Sequence, residues 1–415
     1  MGKKSDSTQI NGLKTENSGP LSDPEKIAEY LNIHFTNVGP KRASEILTVD
    51  CDVNPADSQQ RVNSSFELKE VTISDVFKKL QEVNVAKATG HDNIPYKILK
   101  IAAPVISLSL ADLFNLSITI NTFPDEWKVA NVFPLFKSGE RNDPNNFRPI
   151  SVLLTIARVF ERLVCEQMYA YFAENNLIQP RQSGFRSLHS TVTALLDMTN
   201  QWCLNIDKGM VSGDIFLDVK KAFDTVDHAI LLKKLSDYGV QGQTASWFKS
   251  YLKDRQQFCV ANGLSSVKNR IVFGVPQGSL LGPFLFLIYI NDLPNWLDHS
   301  MGRSFADDTN LAFSAVDLSI LQTEMSNDLN RIFNWLSSNK LTLNILKTDF
   351  MVIGSRQRIA TLAAWKSFIK CEWFNVTTGR KYKVSWSHYR PISYLEKSFT
   401  KCQTNERDRG HYPTF

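Results

Sequence analysis

Residues 303–313, Arg-Ser-Phe-Ala-Asp-Asp-Thr-Asn-Leu-Ala-Phe, constrain this chain more than any other stretch. Short apolar runs flank Phe305-Ala306-Asp307-Asp308 on both sides, the pattern of a tight β-hairpin with two carboxylates at its tip. Adjacent aspartates repel each other, and a chain tolerates them most readily where a divalent cation neutralises them. A third carboxylate, Asp218, closes the apolar run Ile215-Phe216-Leu217 far upstream. Two strand ends that carry aspartates can converge on a pair of magnesium ions and hold a triphosphate for in-line displacement. Alone, an Asp-Asp pair is an ordinary polar hairpin tip, so its surroundings decide the reading.

Two blocks precede the hairpin. They are Leu217-Asp-Val-Lys-Lys-Ala-Phe-Asp-Thr-Val-Asp-His228 and Gly274-Val-Pro-Gln-Gly-Ser-Leu-Leu-Gly-Pro-Phe-Leu-Phe286. In this order the three resemble the reverse transcriptase domain of non-LTR (LINE-type, jockey-like) retrotransposons, with the likeness running from about Lys87 to Gly354. The resemblance implies an α/β (α+β) right-hand polymerase with fingers and palm, the palm being a small antiparallel sheet backed by helices. It implies an RNA-directed DNA polymerase that uses two Mg2+ ions, or Mn2+ in their place, with an RNA template, a DNA primer and deoxynucleoside triphosphates.

The same resemblance assigns roles. Asp218 and Asp307 are metal ligands, joined by the backbone carbonyl of Val219, and Asp308 is auxiliary, between metal and primer end. Phe223 is a steric gate under the nucleotide sugar; its bland alternative is a core phenylalanine. Gln277 contacts the incoming nucleotide or template, and Gly278 lets backbone approach a base or sugar. Phe133-Pro-Leu-Phe-Lys137 and Asn146-Phe-Arg-Pro-Ile-Ser151 resemble the fingers hairpin, with Lys137 and Arg148 on the triphosphate. Asn344-Ile-Leu-Lys-Thr348 resembles the next palm block, where Lys347 donates a proton to pyrophosphate. For Lys137, Arg148 and Lys347 the alternative is solvated surface charge. Asp224 and Asp227 read as structural, capping the helix that starts near 228. Lys87-Ala-Thr-Gly-His-Asp-Asn-Ile-Pro95 resembles an upstream block that usually has Gly where Asn93 stands, a template-contacting or structural loop. Arg181-Gln-Ser-Gly-Phe-Arg186 is expected along the template path, with Arg186 near phosphates.

Composition permits this reading without forcing it. The net charge of +5 over 415 residues allows a nucleic-acid partner, and 43% hydrophobic content supplies a core. Six cysteines, at 51, 165, 203, 259, 371 and 402, show no Cys-x-x-Cys spacing, which argues against a disulfide framework or a zinc knuckle. The polar start carries no secretory signal, and Asp6 spoils the myristoylation pattern opened by Met1-Gly2. The most apolar run, Leu280–Ile290, is too short to span a bilayer. An intracellular protein, nuclear or cytoplasmic and without a transmembrane segment, is therefore expected.

Three regions are expected: a disordered stretch over 1–65 with one helix and a linker, the fingers and palm over 66–360, and an unrelated or poorly ordered tail over 361–415. Beyond about Arg358 no primer-grip or thumb pattern is legible, which leaves open a catalytically inactive retrotransposon relic that only binds nucleic acid. A metal-dependent nuclease or phosphatase on the same carboxylates explains neither Phe223 nor the Pro-Gln-Gly block.

Overall fold

The computed structural model describes residues 9–15, 19–46, 62, 64–363, 370–375 and 380–385. In chain order the elements are α1 (Pro24–Glu45), α2 (Ile73–Gln81), α3 (Tyr96–Thr119), β1 (Val129–Phe136), β2 (Phe147–Val152), α4 (Thr155–Glu174), α5 (Thr191–Asp207) and β3 (Val211–Leu217). There follow α6 (His228–Asp237), α7 (Gly242–Leu252), β4 (Gln256–Ala261), β5 (Leu264–Ser265), β6 (Asn269–Arg270), α8 (Gly282–Ile290), β7 (Met301–Phe305), β8 (Asp308–Ala315), α9 (Leu318–Ser338) and β9 (Asp349–Ile353). Last come α10 (Arg356–Ala363), β10 (Lys370–Asn375) and β11 (Arg380–Ser385). Among the described residues the expected 66–360 domain divides between two compact units: those within Met1–Ala43, Gln60–Leu177 and Phe223–Tyr289 form one, and those within Ser44–Gln59, Ile178–Ala222 and Ile290–Phe415 the other.

In the first unit β1 pairs antiparallel with β2 and parallel with β4. Asp23 accepts from the Glu25 amide and Pro24 opens α1, as their spacing predicts. Ile27, Ala28, Leu31 and Phe35 bury against Val132, Phe147 and Cys259. Ile10 and Leu13 join the same cluster, so the expected disorder does not extend over residues 9–15. Burying an aliphatic side chain contributes about 1.5–3 kcal/mol, and reciprocal bonds of Ile10 with the Asn262 amide add to it. A second core is aromatic. Phe114 stacks on Phe160 at 4.5 Å, while Phe123 meets Tyr251 edge-on at 5.0 Å.

Helix α3 adds what the sequence reading did not foresee. It has 24 residues with a mean hydropathy of 1.7, enough by length and composition to cross a membrane. Leu99, Ala103, Leu110 and Phe114 form one buried stripe at helical spacing, while Ile98, Ile101, Val105, Leu108 and Leu116 on the same helix are exposed.

The second unit holds an antiparallel sheet ordered β7-β8-β3-β9, the palm-like sheet expected from the resemblance. Helix α9 covers it closely: a Cβ on Gly213 would lie 3.2 Å from the Met325 sulfur and 3.3 Å from Leu321. The stretch after 360 is not featureless, since β10 and β11 pair antiparallel; the rest of the expected tail beyond 385 lies outside the described residues.

One buried carboxylate sits inside this sheet. Asp214 accepts from Trp202 Nε1 at 2.9 Å and Asn310 Nδ2 at 3.0 Å. Burial pushes its carboxyl up to about 6, against the lowering effect of those two bonds and of Arg303. A raised folded-state value favours the protonated carboxyl, so this contribution is complete below the ordinary value of 3.8 and is lost as pH rises through about 6. Asp214→Asn removes it, and the amide Oδ1 of Asn310, buried and unpaired, is available to the new side chain. Urea unfolding at pH 4 and pH 7 is expected to show the parent losing up to about 3 kcal/mol more than the variant across that interval. Parallel pH dependences would refute the assignment.

Candidate active site

Strand register brings the carboxylates together. Leu217 of β3 lies opposite Thr309 of β8, and Phe305 pairs with Asp308 across the hairpin. Asp218 follows directly after Leu217, Asp308 precedes Thr309, and Asp307 lies in the turn between β7 and β8. Ala306, the first turn residue, has φ of 56°. Two-residue hairpins need that left-handed geometry, and an alanine adopts it at a cost of about 1–2 kcal/mol. Asp218 and Asp307 are half-buried and Asp308 is exposed.

The Asn344–Thr348 block meets Asp218 directly. The Asn344 backbone amide donates to the Asp218 carbonyl at 2.7 Å, and its side-chain Nδ2 donates to Asp218 Oδ2 at 2.6 Å. Sequence reasoning quoted Asn344 only as the head of a motif and gave its chemistry to Lys347. Lys347 is exposed, in the 3₁₀ turn that follows. Val219 faces Leu343 in an isolated bridge flanked by Asn344 N–H to Asp218 C=O and Lys220 N–H to Thr342 C=O. That is the non-hydrogen-bonded antiparallel pair, which directs the Val219 carbonyl away from the 343 strand.

The donor set is all oxygen, which suits a hard cation. Among the described residues no group of three or more His, Cys, Asp or Glu side chains is placed to hold a metal ion. Magnesium is commonly held by one or two carboxylates, with waters and substrate phosphates completing its shell, so the strand-end carboxylates fit it.

In the first unit, Arg148 lies opposite Leu135 and the Lys137 amide donates to the Asn146 carbonyl at 2.9 Å. Strand alternation therefore sets Lys137 and Arg148 on one face of the β1–β2 hairpin, Lys137 exposed and Arg148 half-buried. The Phe223 ring stacks on Phe286 at 4.6 Å and remains half-exposed. Its carbonyl accepts from Val275 N–H at 2.9 Å, which ties it to the Pro-Gln-Gly block.

Inside that block the polar groups have partners that the sequence did not announce. Gln277 Nε2 donates to Asp224 Oδ1 at 2.7 Å. Asp224 therefore holds the block, and Asp227 alone caps α6, accepting from Ala229 and Ile230. Gly278, at φ of 139°, would place a Cβ 2.0 Å from the Ser151 carbonyl. Its glycine is thus required by a crossing backbone of this chain itself. Glu161, fully buried, accepts from Tyr251 Oη and the Leu280 amide, both at 2.8 Å. Nothing in the local sequence marks Glu161 or Tyr251, because their contact spans 90 positions.

Two further loops carry contacts within this chain. Arg186 Nη1 donates to the carbonyls of Gln179, Pro180 and Gln182, so this nitrogen clamps its own loop. In the 87–95 loop, a Cβ on Gly90 would crowd Leu154 at 2.8 Å, and Asn93 takes a φ of 55°. Asparagine tolerates that conformation better than most residues, which explains how it stands where glycine is usual.

The family model for reverse transcriptase (RNA-dependent DNA polymerase) matches residues 137–399. The chain belongs to the reverse transcriptase family. The match continues past 360, into the stretch that sequence reasoning set apart. Similar proteins include "Probable RNA-directed DNA polymerase from transposon BS" of Drosophila melanogaster, 28% identical over 68% of this chain and 32% of that one. "Probable RNA-directed DNA polymerase from transposon X-element", of the same organism, is 34% identical over 54% of this chain and 25% of its own. The RNA-directed DNA polymerase from its mobile element jockey is 26% identical over 70% and 33%. This reverse transcriptase family chain thus spans a third or less of the length of these relatives.

Proposed function

We propose that this chain extends a DNA primer on an RNA template, as the reverse transcriptase part of a non-LTR retrotransposon. The observation that carries the reading is the register Leu217↔Thr309 and Phe305↔Asp308, which leaves Asp218 one residue past Leu217 and Asp307 in the adjoining turn. Two magnesium ions, when bound, would supply activation of the primer 3′-hydroxyl and charge stabilisation on the departing pyrophosphate. Asp218, Asp307 and the Val219 carbonyl would hold them, and Asn344 fixes the orientation of Asp218. Asp308 stands at the primer end. Lys137 and Arg148, sharing one hairpin face, bind the triphosphate, and Lys347 gives a proton to the pyrophosphate. Gln277 and Gly278 line the nucleotide side, with the Gln277 amide oriented by Asp224.

Primer extension on an RNA template with purified protein tests the proposal. Incorporation of deoxynucleotides directed by the template is expected. Retained gel shift without extension would replace it with the inactive, nucleic-acid-binding reading.

Phe223 packs one face on Phe286 and keeps part of its ring open, which suits a wall against a ribose 2′-hydroxyl. Phe223→Val is expected to raise ribonucleotide incorporation relative to the matching deoxynucleotide by at least about tenfold, equivalent to roughly 1.4 kcal/mol of lost discrimination. An unchanged ratio returns Phe223 to simple core packing.

A further inference from the structure

The turn that carries Asp307 is held from outside by a buried side chain. Gln182 is 5% exposed, and its Oε1 accepts two backbone N–H groups, Gly184 at 2.8 Å and Ala306 at 3.1 Å. Ala306 is itself 1% exposed and immediately precedes Asp307. The loop is locked alongside β7 by two further bonds: Ser183 N–H to the Ser304 carbonyl at 2.8 Å, and Ser304 N–H to the Arg181 carbonyl at 3.0 Å. These make Gln182 and Ser304 a parallel bridge, an edge extension of the sheet. Gly184 closes the contact. A Cβ there would lie 2.1 Å from the Ala306 nitrogen and 2.8 Å from its Cα.

We infer that Gln182 is a positioning residue for the carboxylate turn, fixing the left-handed Ala306 so that Asp307 and Asp308 are presented in one geometry. Ala306 occupies a strained φ that its own side chain does not favour, so an outside acceptor is needed to hold it. Without that acceptor two buried N–H groups lose their partner, and one of them belongs to the turn. A carboxylate displaced by about 1 Å loses rate by about 100-fold, even though the displaced group is intact. The 181–186 motif then acts on chemistry through the hairpin backbone. The catalytic part of this inference rests on the polymerase reading above; the structural part does not.

The test compares Gln182→Met, which keeps length and loses the acceptor, with Gln182→Glu, which keeps an acceptor oxygen. Gly184→Ala, which crowds the Ala306 backbone and keeps the Gln182 side chain, is the third variant. The measurements are single-turnover extension across Mg2+ and deoxynucleotide concentrations, Mn2+ binding by titration without substrate, and hydrogen exchange at the Ala306 amide. Gln182→Met and Gly184→Ala are expected to lower the extension rate by about 100-fold, weaken Mn2+ binding, and raise the Mg2+ midpoint, with little change in deoxynucleotide KM. Ala306 exchange should speed by about tenfold or more in Gln182→Met, and Gln182→Glu should restore both protection and rate. Parental Mn2+ affinity and Ala306 protection in Gln182→Met would overturn the inference, as would failure of Gln182→Glu to restore either. If the parent protein extends nothing, the polymerase reading falls, while the Mn2+ and exchange measurements still decide whether Gln182 sets the turn.

Discussion

Asp218→Ala and Asp307→Ala are each expected to abolish primer extension while leaving the protein folded. The loss expected is about 1,000-fold or more, because removing one ligand misplaces a cation that offsets charge in the transition state. Folding should survive. Asp218 follows the end of β3 and Asp307 lies in the β7–β8 turn, both half-buried, and neither fills the core. Asp308→Ala, at the exposed member of the pair, is expected to lose less. Single-turnover extension with a far-ultraviolet spectrum of each variant checks this. Residual extension by either single variant within about tenfold of the parent, a barrier change of only about 1.4 kcal/mol, would sink the assignment.

Gly278→Ala is expected to lower unfolding free energy by about 3 kcal/mol or more and to remove extension with it. Two effects coincide there. The φ of 139° is unfavourable for any L side chain, and the added Cβ meets the Ser151 carbonyl at 2.0 Å. Ser151 cannot step aside, because its own amide donates to the Gln277 carbonyl at 2.8 Å. Gly263→Ala is the control. It also has positive φ, 80°, but nothing lies within 4 Å of its Cβ, so only the backbone cost of about 1 kcal/mol is expected. Urea unfolding of the two variants separates crowding from strain; equal losses would refute the crowding argument.

Local pattern made most elements legible. The stripe Ile156, Val159, Phe160, Leu163, Val164 and Met168 announces α4, and alternation around Phe305–Asp308 announces the hairpin. Those signals are strong because side-chain periodicity repeats within one or two turns or pleats. Ile10 and Leu13 were not legible as core residues, since two isolated apolar side chains in a polar stretch carry no period. Their burial depends on β4, more than 200 residues away in sequence.

The site divides along the same line. The amino-acid order by itself determined which carboxylates belong together, that a tight turn presents two of them, and which family the chain joins, because these rest on short motifs and their succession. Tertiary structure alone decided what holds each group in place. Asn344 orients Asp218, Asp224 occupies the Gln277 amide, Ser151 dictates the glycine at 278, and Gln182 braces the turn at Ala306. Each is a hydrogen bond or steric contact between residues that lie distant in sequence. Such contacts are directional and short, so they exist only once the backbone has brought both partners within about 3 Å, and no local periodicity encodes them.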